Sequence, residues 1–338
     1  MRLPARYSLM KALVYTAEKE IQFRDEAAPR PGPGEVVVAV DAVGICGSDM
    51  HAYLGHDERR VPPLILGHEA VGRVVDDSVA GPAVLINPLI TCGHCDACQG
   101  GRENICEKRE VIGMYRPGAL AERVAIPARN LIEIPEGMDP VFAALTEPAA
   151  TALHAVNLAA KAVHRPVCES RTLVIGGGSV GLFAAMALKS HGAPEIHLAE
   201  TNSLRRTTVE STGACRVFDP VSEPAQESSF DIVVDAVGGK LSREAGITAV
   251  RPGGVVIHIG LLDNDGGVDV RKMTLQEITL IGTYTYTAVD LRATVMKLHT
   301  GAYGDLSWVE QRSLSDGAGA FDDLLHGRTA APKIVLCP

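Results

Sequence analysis

Two regimes of hydrophobic patterning divide the chain near Thr146. Before it, apolar runs are short and set off by turn-forming residues. Met10-Lys11-Ala12-Leu13-Val14 reads as a first strand, and Pro29, Pro31, Gly32, Pro33 and Gly34 then break the chain. Glu35–Val43 (EVVVAVDAV) is a second strand, with further short runs at Ala70–Val75, Ala83–Ile86 and Leu120–Ile126. Short strands between Gly/Pro turns predict a small β-barrel-like domain. After Thr146, strands and helices alternate. Glu147–Ala160 is a helix with Pro148 in its first turn. Strands at Arg171–Ile175, Glu195–Ala199, Asp231–Ala236, Val255–Ile259 and Thr279–Thr283 are interleaved with helices at Val180–Ser190, Ser203–Thr212 and Leu241–Val250. That alternation predicts a parallel sheet with helices on both faces. The strand-like Lys333–Leu336 near the end does not extend it, and the last segment is free to return to the first domain. The first nine residues are expected to be a poorly ordered extension.

Composition narrows the function classes. The 338 residues suffice for two domains, and 46% hydrophobic with 22% charged residues is a globular balance. A net charge of −9 and only 4% aromatic residues argue against phosphate-tracking or base-stacking surfaces, hence against nucleic acid as a partner. No apolar stretch reaches membrane-spanning length, and MRLPARYSL lacks a signal-peptide core. A cytoplasmic location, away from membranes, is expected.

Four of the eight cysteines carry the first chemistry. Cys92, Cys95, Cys98 and Cys106 form C-x2-C-x2-C-x7-C within CGHCDACQGGRENIC. Four thiolates so spaced can close a tetrahedral shell on one Zn²⁺, and a closed shell leaves no position for substrate, so this zinc is structural. A disulfide pair and an iron–sulfur cluster are the alternatives. Thiolate ligands suit a reducing compartment. Cys168, Cys215 and Cys337 stand alone and read as ordinary thiols.

The strand RTLVI runs into Gly176-Gly177-Gly178-Ser179-Val180-Gly181 at the start of a helix, a G-x-G-x-x-G loop in its required strand–turn–helix setting. Gly176 allows the turn, Gly178 the approach of a pyrophosphate, and Gly181 close helix–strand packing; the helix start at Ser179 and Val180 offers free N–H groups. This is the sign of a dinucleotide-binding Rossmann domain. Glu200, at the end of the next strand, is placed to bond a ribose 2′-hydroxyl and to repel a 2′-phosphate, which favours NAD over NADP. Arg205 and Arg206 keep NADP open.

Three further motifs supply metal-ligand types from separate loops: Gly44-Ile45-Cys46-Gly47-Ser48-Asp49-Met50-His51, Gly67-His68-Glu69 and Thr146-Glu147-Pro148. Cys46, His68, the four-cysteine run and the glycine loop, in this order, resemble the zinc-dependent medium-chain dehydrogenase/reductase family, nearest its polyol or sorbitol dehydrogenase branch. The resemblance covers the chain from Met10 onward. It implies a GroES-like catalytic domain built from 10–152 and 290–338, carrying the zinc lobe at about 90–108, around a Rossmann domain at 153–289. It makes Cys46 and His68 ligands of a second, catalytic zinc, with Glu69 or Glu147 completing the set. Asp49 resembles the acid that orients the zinc-bound histidine, Ser48 the relay hydroxyl beside the alcohol, and His51 the outer base that passes the proton to solvent.

The implied activity is oxidation of a secondary hydroxyl of a polyol, sugar or sugar acid by NAD⁺, in a homodimer or homotetramer. A simple secondary-alcohol or L-threonine-type dehydrogenase is the close alternative; a non-catalytic zinc- or nucleotide-binding protein is the distant one. The chain departs from the branch at the pocket. It has Ala52 then Tyr53 where an aromatic residue follows the histidine, and Thr285 stands where an arginine precedes Tyr286 in the run Thr283-Tyr284-Thr285-Tyr286. Sorbitol itself is therefore not implied. Val74–Val84 lacks the family's longer loop, and a tighter hairpin is expected there.

Overall fold

A computed structural model describes residues 9–75 and 81–338. The expected N-terminal extension lies outside these residues except for Leu9. That residue is not part of a loose tail: it opens the strand Leu9–Ala17, in register with Ala27 of the strand Glu20–Ala27. The connection between Glu69–Val74 and Ala83–Ile86 also lies largely outside the described residues, though these strands pair, Arg73 opposite Ala83.

The second half forms the expected parallel sheet. In spatial order its strands are Arg216–Phe218, Glu195–Ala199, Arg171–Ile175, Phe230–Asp235, Val250–His258 and Thr279–Gly282. Numbered along the chain this is 3-2-1-4-5-6, the order of a dinucleotide-binding Rossmann sheet. Both faces are covered, which explains why its strands read as unbroken apolar runs. Val174, Ile232, Val234, Val255 and Ile257 face the helices Thr146–Ala162, Ser179–Ser190 and Ala288–His299. Leu173, Val233 and Val256 face the other way, toward Ile247 and Met273 on Lys240–Ala249 and Val270–Gln276. The alternation is the period-2 geometry of a strand.

The first half is β-rich and is completed by the chain's end. Glu35–Gly44 lies at the centre of a seven-stranded sheet, bonded to Glu69–Val74, Arg123–Pro127 and Lys333–Cys337. Lys333–Cys337 in turn pairs in parallel with Val309–Ser313. The core beneath joins Leu13, Val38, Leu66, Leu120, Phe321 and Ile334. The run Leu120–Ile126 begins its regular pairing only at Arg123, because Leu120 and Ala121 instead reach across to Leu13 and Ala12 of the first strand.

Two glycines are dictated by contact. A Cβ on Gly181 would lie 1.9 Å from the carbonyl oxygen of Gly176, and one on Gly118 would lie 2.3 Å from that of Gly67. Gly181→Ala should therefore destabilise the protein by about 1–3 kcal/mol through overpacking, read as a lower chemical-denaturation midpoint; an unchanged midpoint would show that the loop relaxes freely.

Candidate active site

The four-cysteine lobe wraps through a short helix, Asp96–Gln99, and a 3-10 turn, Glu103–Ile105. All four sulfurs lie within 4.8 Å of one another, with Cys92–Cys98 at 3.9 Å and Cys92–Cys106 at 3.6 Å. Sulfurs about 2.3 Å from one tetrahedral ion stand about 3.8 Å apart, so the cage fits a single zinc. The spacing is too long for a disulfide, and every cysteine is free. It also leaves no room for a polynuclear cluster. Backbone N–H groups of His94 and Cys95 hold the Cys92 thiol down at about 6, which favours the thiolate a metal needs at neutral pH.

A second set gathers where the strand Glu35–Gly44 meets the helix Gly47–Tyr53. Ligand atoms of Cys46, His68 and Glu69 all lie within 4.8 Å of one another. Cys46 caps the helix: its sulfur accepts from the Ser48 N–H at 3.4 Å, while its own N–H donates to Asp49 Oδ2 at 3.0 Å. His68 and Glu69 follow Gly67, whose φ of +90° turns the chain toward the site. Asp49 Oδ1 lies 3.6 Å from His68 Nδ1, both buried without a hydrogen-bond partner. Gly44 leaves room for Glu69, whose Oε2 would be 2.1 Å from a Cβ there.

Lys333, from the last strand, is buried against this set. Its Nζ donates to both carboxylate oxygens of Glu69 at 2.7 Å and to the Ile45 carbonyl at 2.7 Å. Burial works against its charge, but Glu69 and Cys46 outweigh that and raise its pKa above the ordinary lysine value. Glu147, in the first turn of Thr146–Ala162, faces the same space. Burial, opposed by His68 and reinforced by Glu69 and Cys46, pushes it up to about 8. Burial and Glu69 likewise push Cys46 up to about 11. Cys46 and Glu147 thus resist ionisation beside Glu69, a cost that a divalent cation among them would relieve, and the thiol, imidazole and carboxyl donor types fit zinc.

At the glycine loop, Gly176 has φ +101°, and the helix Ser179–Ser190 follows Gly178, around which a Cβ would meet nothing within 4 Å. That open side fits the approach of a pyrophosphate. The Ser179 N–H is not free as expected; it donates to the Pro332 carbonyl at 3.1 Å, beside Lys333. Glu200 is buried and accepts from the N–H groups of Gly177 at 2.8 Å and Asn202 at 2.7 Å. Arg205 lies 3.3 Å from Glu200, and Arg206 donates to the carbonyls of Glu200 and Thr201. Both arginines are thus engaged close to the acid.

The pocket residues divide. Tyr53 is buried in the core, its ring 5.3 Å from that of Phe321, and does not replace the family's pocket aromatic. The strand ends at Gly282, and the following segment turns through Thr285 at φ +46°. Tyr286 is buried with its hydroxyl against Glu147, and the hydroxyls of Thr283 and Thr285 are buried without hydrogen-bond partners. The lobe holds this segment from outside. Asn104 donates to the Tyr284 carbonyl at 2.8 Å, Arg109 stacks 4.6 Å over the Tyr284 ring, and Glu103 accepts from the Ala288 N–H. A cavity of about 950 Å³ opens between them, lined by Arg102, Asn104, His154, Asn157 and Tyr284.

Sequence reading missed Lys333 and Arg60. Lys333 looked like the polar start of a strand. Arg60 lies in the charged run His56-Asp57-Glu58-Arg59-Arg60, which carries no motif.

Comparison with known proteins gives the class. The family model described as alcohol dehydrogenase GroES-like domain matches residues 32–136, and that described as zinc-binding dehydrogenase matches residues 179–300. L-galactonate-5-dehydrogenase of Escherichia coli K12 is 33% identical over 297 residues, covering 84% of this chain and 85% of that protein. L-threonine 3-dehydrogenase of Thermococcus kodakarensis is 32% identical over 264 residues, 73% of this chain and 74% of that one. Acetophenone reductase from Geotrichum candidum, solved in complex with NAD, superposes with a TM-score of 0.86 at 26% identity over 100% of this chain and 99% of its own. The chain belongs to the zinc-binding alcohol dehydrogenases. It is an oxidoreductase of alcohol groups that works with zinc and a nicotinamide dinucleotide.

Cys95→Ala should release about one zinc per chain and lower the thermal midpoint, with turnover falling as the lobe loosens. A variant that keeps its zinc and its midpoint yet loses turnover would contradict a structural role for the lobe.

Proposed function

We propose that the chain oxidises a secondary hydroxyl of a polyol, sugar or sugar acid to a ketone, with NAD⁺ as hydride acceptor. The observation that carries the substrate class is the pair of buried, unpartnered hydroxyls on Thr283 and Thr285, in the segment that brings Tyr286 to Glu147. Buried polar groups need partners, and a substrate bearing several hydroxyls supplies them where a short aliphatic alcohol does not. The galactonate dehydrogenase relative points the same way, whereas the threonine dehydrogenase relative supports the second reading, an amino-alcohol substrate.

Cys46, His68 and Glu69 would hold the catalytic zinc, and Cys92, Cys95, Cys98 and Cys106 the structural one. When bound, zinc makes an alcohol proton acidic near neutral pH and NAD⁺ takes the hydride. The chain's own residues do the rest. Lys333 balances the charge of Glu69, and Glu147 completes the site by a direct or water-mediated contact. Asp49 orients His68. Ser48 accepts the substrate proton, and His51, one turn further along the same helix, takes it to solvent. Burial, with His56 and Arg60 nearby, holds the His51 pKa below the ordinary histidine value, so the base stays neutral into mildly acidic pH. Gly176, Gly178, Val180 and Gly181 shape the cofactor loop. The Glu200 carboxylate favours NAD, and the engagement of Arg205 weighs against a 2′-phosphate site.

Two features support a homodimer or a larger homo-oligomer. The parallel sheet ends on Thr279–Gly282, which among the described residues is bonded on one side only. Leu261, Leu262 and Leu275 are exposed on the segments flanking it. The free thiols fit a reducing, cytoplasmic setting, and no helix among the described residues is long and apolar enough to cross a membrane.

A panel of polyols, sugar acids, sugar phosphates, short alcohols and L-threonine, run with NAD⁺ and NADP⁺, should give its highest kcat/KM for a polyol or sugar acid with NAD⁺. L-threonine or a short alcohol in first place would replace the substrate class, and no reduction by the zinc-loaded enzyme would end the proposal. Glu69→Gln should release more zinc than Glu147→Gln by metal analysis; the reverse would make Glu147 the ligand. His51→Gln should lower kcat about 10-fold or more, partly restored by added imidazole; an unchanged rate would remove His51 from the relay.

A further inference from the structure

The Ser48 hydroxyl already has a partner. Arg60 Nη2 donates to its Oγ at 3.0 Å. Arg60 follows the helix Gly47–Tyr53, in a stretch that reads as surface charge, yet its side chain is wholly buried. Nε donates to the Gly113 carbonyl at 2.9 Å, Nη1 to Asp57 Oδ2, and Nη2 lies 3.6 Å from Asp49 Oδ1. One guanidinium thus touches the relay hydroxyl and lies against the carboxylate that faces His68. Arg59, its neighbour, is partly exposed and pairs with Asp57. A buried cation persists only when its donors are satisfied, so this placement is specified rather than incidental.

We infer that Arg60 is a positioning residue of the proton relay, fixing the Ser48 hydroxyl so that its remaining lone pair and its one proton serve the substrate and His51. This rests on the relay proposed above. A guanidinium has only donors and does not lose its proton at working pH, so Arg60 itself passes nothing on. By filling one lone pair of Ser48 Oγ, it directs the other toward the alcohol. The substrate O–H breaks as a new Ser48 O–H forms, and the proton Ser48 first carried leaves toward His51. The anchor of this arrangement stays charged: burial alone would raise Asp57, but its bonds to Arg59 and the charge of Arg60 hold it at about 2. The charged and titratable groups around His51 are His56, Asp57, Arg59 and Arg60.

The test is a double-mutant cycle on the zinc-loaded enzyme with Arg60→Met, Ser48→Ala and the pair, read on kcat and independently on thermal midpoint. Arg60→Met should keep its zinc, leave KM for NAD⁺ within about twofold and lower kcat about 10- to 100-fold, the range for losing one charged hydrogen bond. With Ser48 already Ala, the same change should cost less than about threefold in kcat, and the midpoint losses should likewise fall short of their sum. Arg60→Lys, which keeps the charge without the fork, should restore part of kcat. Equal losses on the two backgrounds, in kcat and in midpoint, would overturn the inference and leave the relay standing. A Ser48→Ala enzyme of unchanged kcat would instead overturn the relay reading. Should Arg60→Met fail to fold, Asp57→Asn loosens the guanidinium from its far side; a severalfold loss of kcat that vanishes in Ser48→Ala supports the role, and an unchanged kcat overturns it.

Discussion

The ion pair between Lys333 and Glu69 joins the two ends of the first domain at the place where chemistry is possible. Lys333 arrives on the last strand, which pairs with Glu35–Gly44, and its Nζ bonds Glu69 and the carbonyl preceding Cys46. Removing one partner of such a pair leaves a buried charge, a cost of about 3–5 kcal/mol. The neighbouring Pro332 carbonyl takes the Ser179 N–H at the cofactor loop. Two consecutive residues therefore register the returning chain against both the Cys46–His68–Glu69 cluster and the glycine loop. That cluster is fixed by topology as much as by local sequence.

The four-cysteine lobe has a related place. It lies apart from the Cys46–His68–Glu69 cluster in sequence, but its outer residues hold the segment Tyr284–Ala288 through Asn104, Glu103 and Arg109. That segment carries Tyr286 to Glu147. A structural zinc there would stiffen one wall of the substrate space without touching substrate. The lobe and the returning strand thus support the same small volume from two directions.

Much of this was legible in the sequence, for identifiable reasons. The Rossmann half was clear because strands buried on both faces are continuous apolar runs and the glycine loop sits in a fixed strand–turn–helix setting. The cysteine cage was clear because its ligands are local. Cys46, His68 and Glu147 needed the resemblance, since each alone is an ordinary residue. Lys333 and Arg60 escaped because their roles arise from partners 264 and 12 positions away, to Glu69 and Ser48 respectively, which no local pattern encodes. The departure at Ala52 was legible, and the next residue, Tyr53, does not make it good because its ring packs into the core against Phe321.

The central claim is that one chain holds two zinc sites of different kinds, closed at the cysteines and open at Cys46. Anomalous diffraction at the zinc edge, from crystals of the zinc-loaded protein, addresses it directly. The account predicts two peaks per chain: one enclosed by Cys92, Cys95, Cys98 and Cys106, and one at Cys46 and His68 with a carboxylate and a position left for an oxygen ligand. A single peak at the cysteine lobe, with Lys333 still holding Glu69 and no ion beside Cys46, would contradict it.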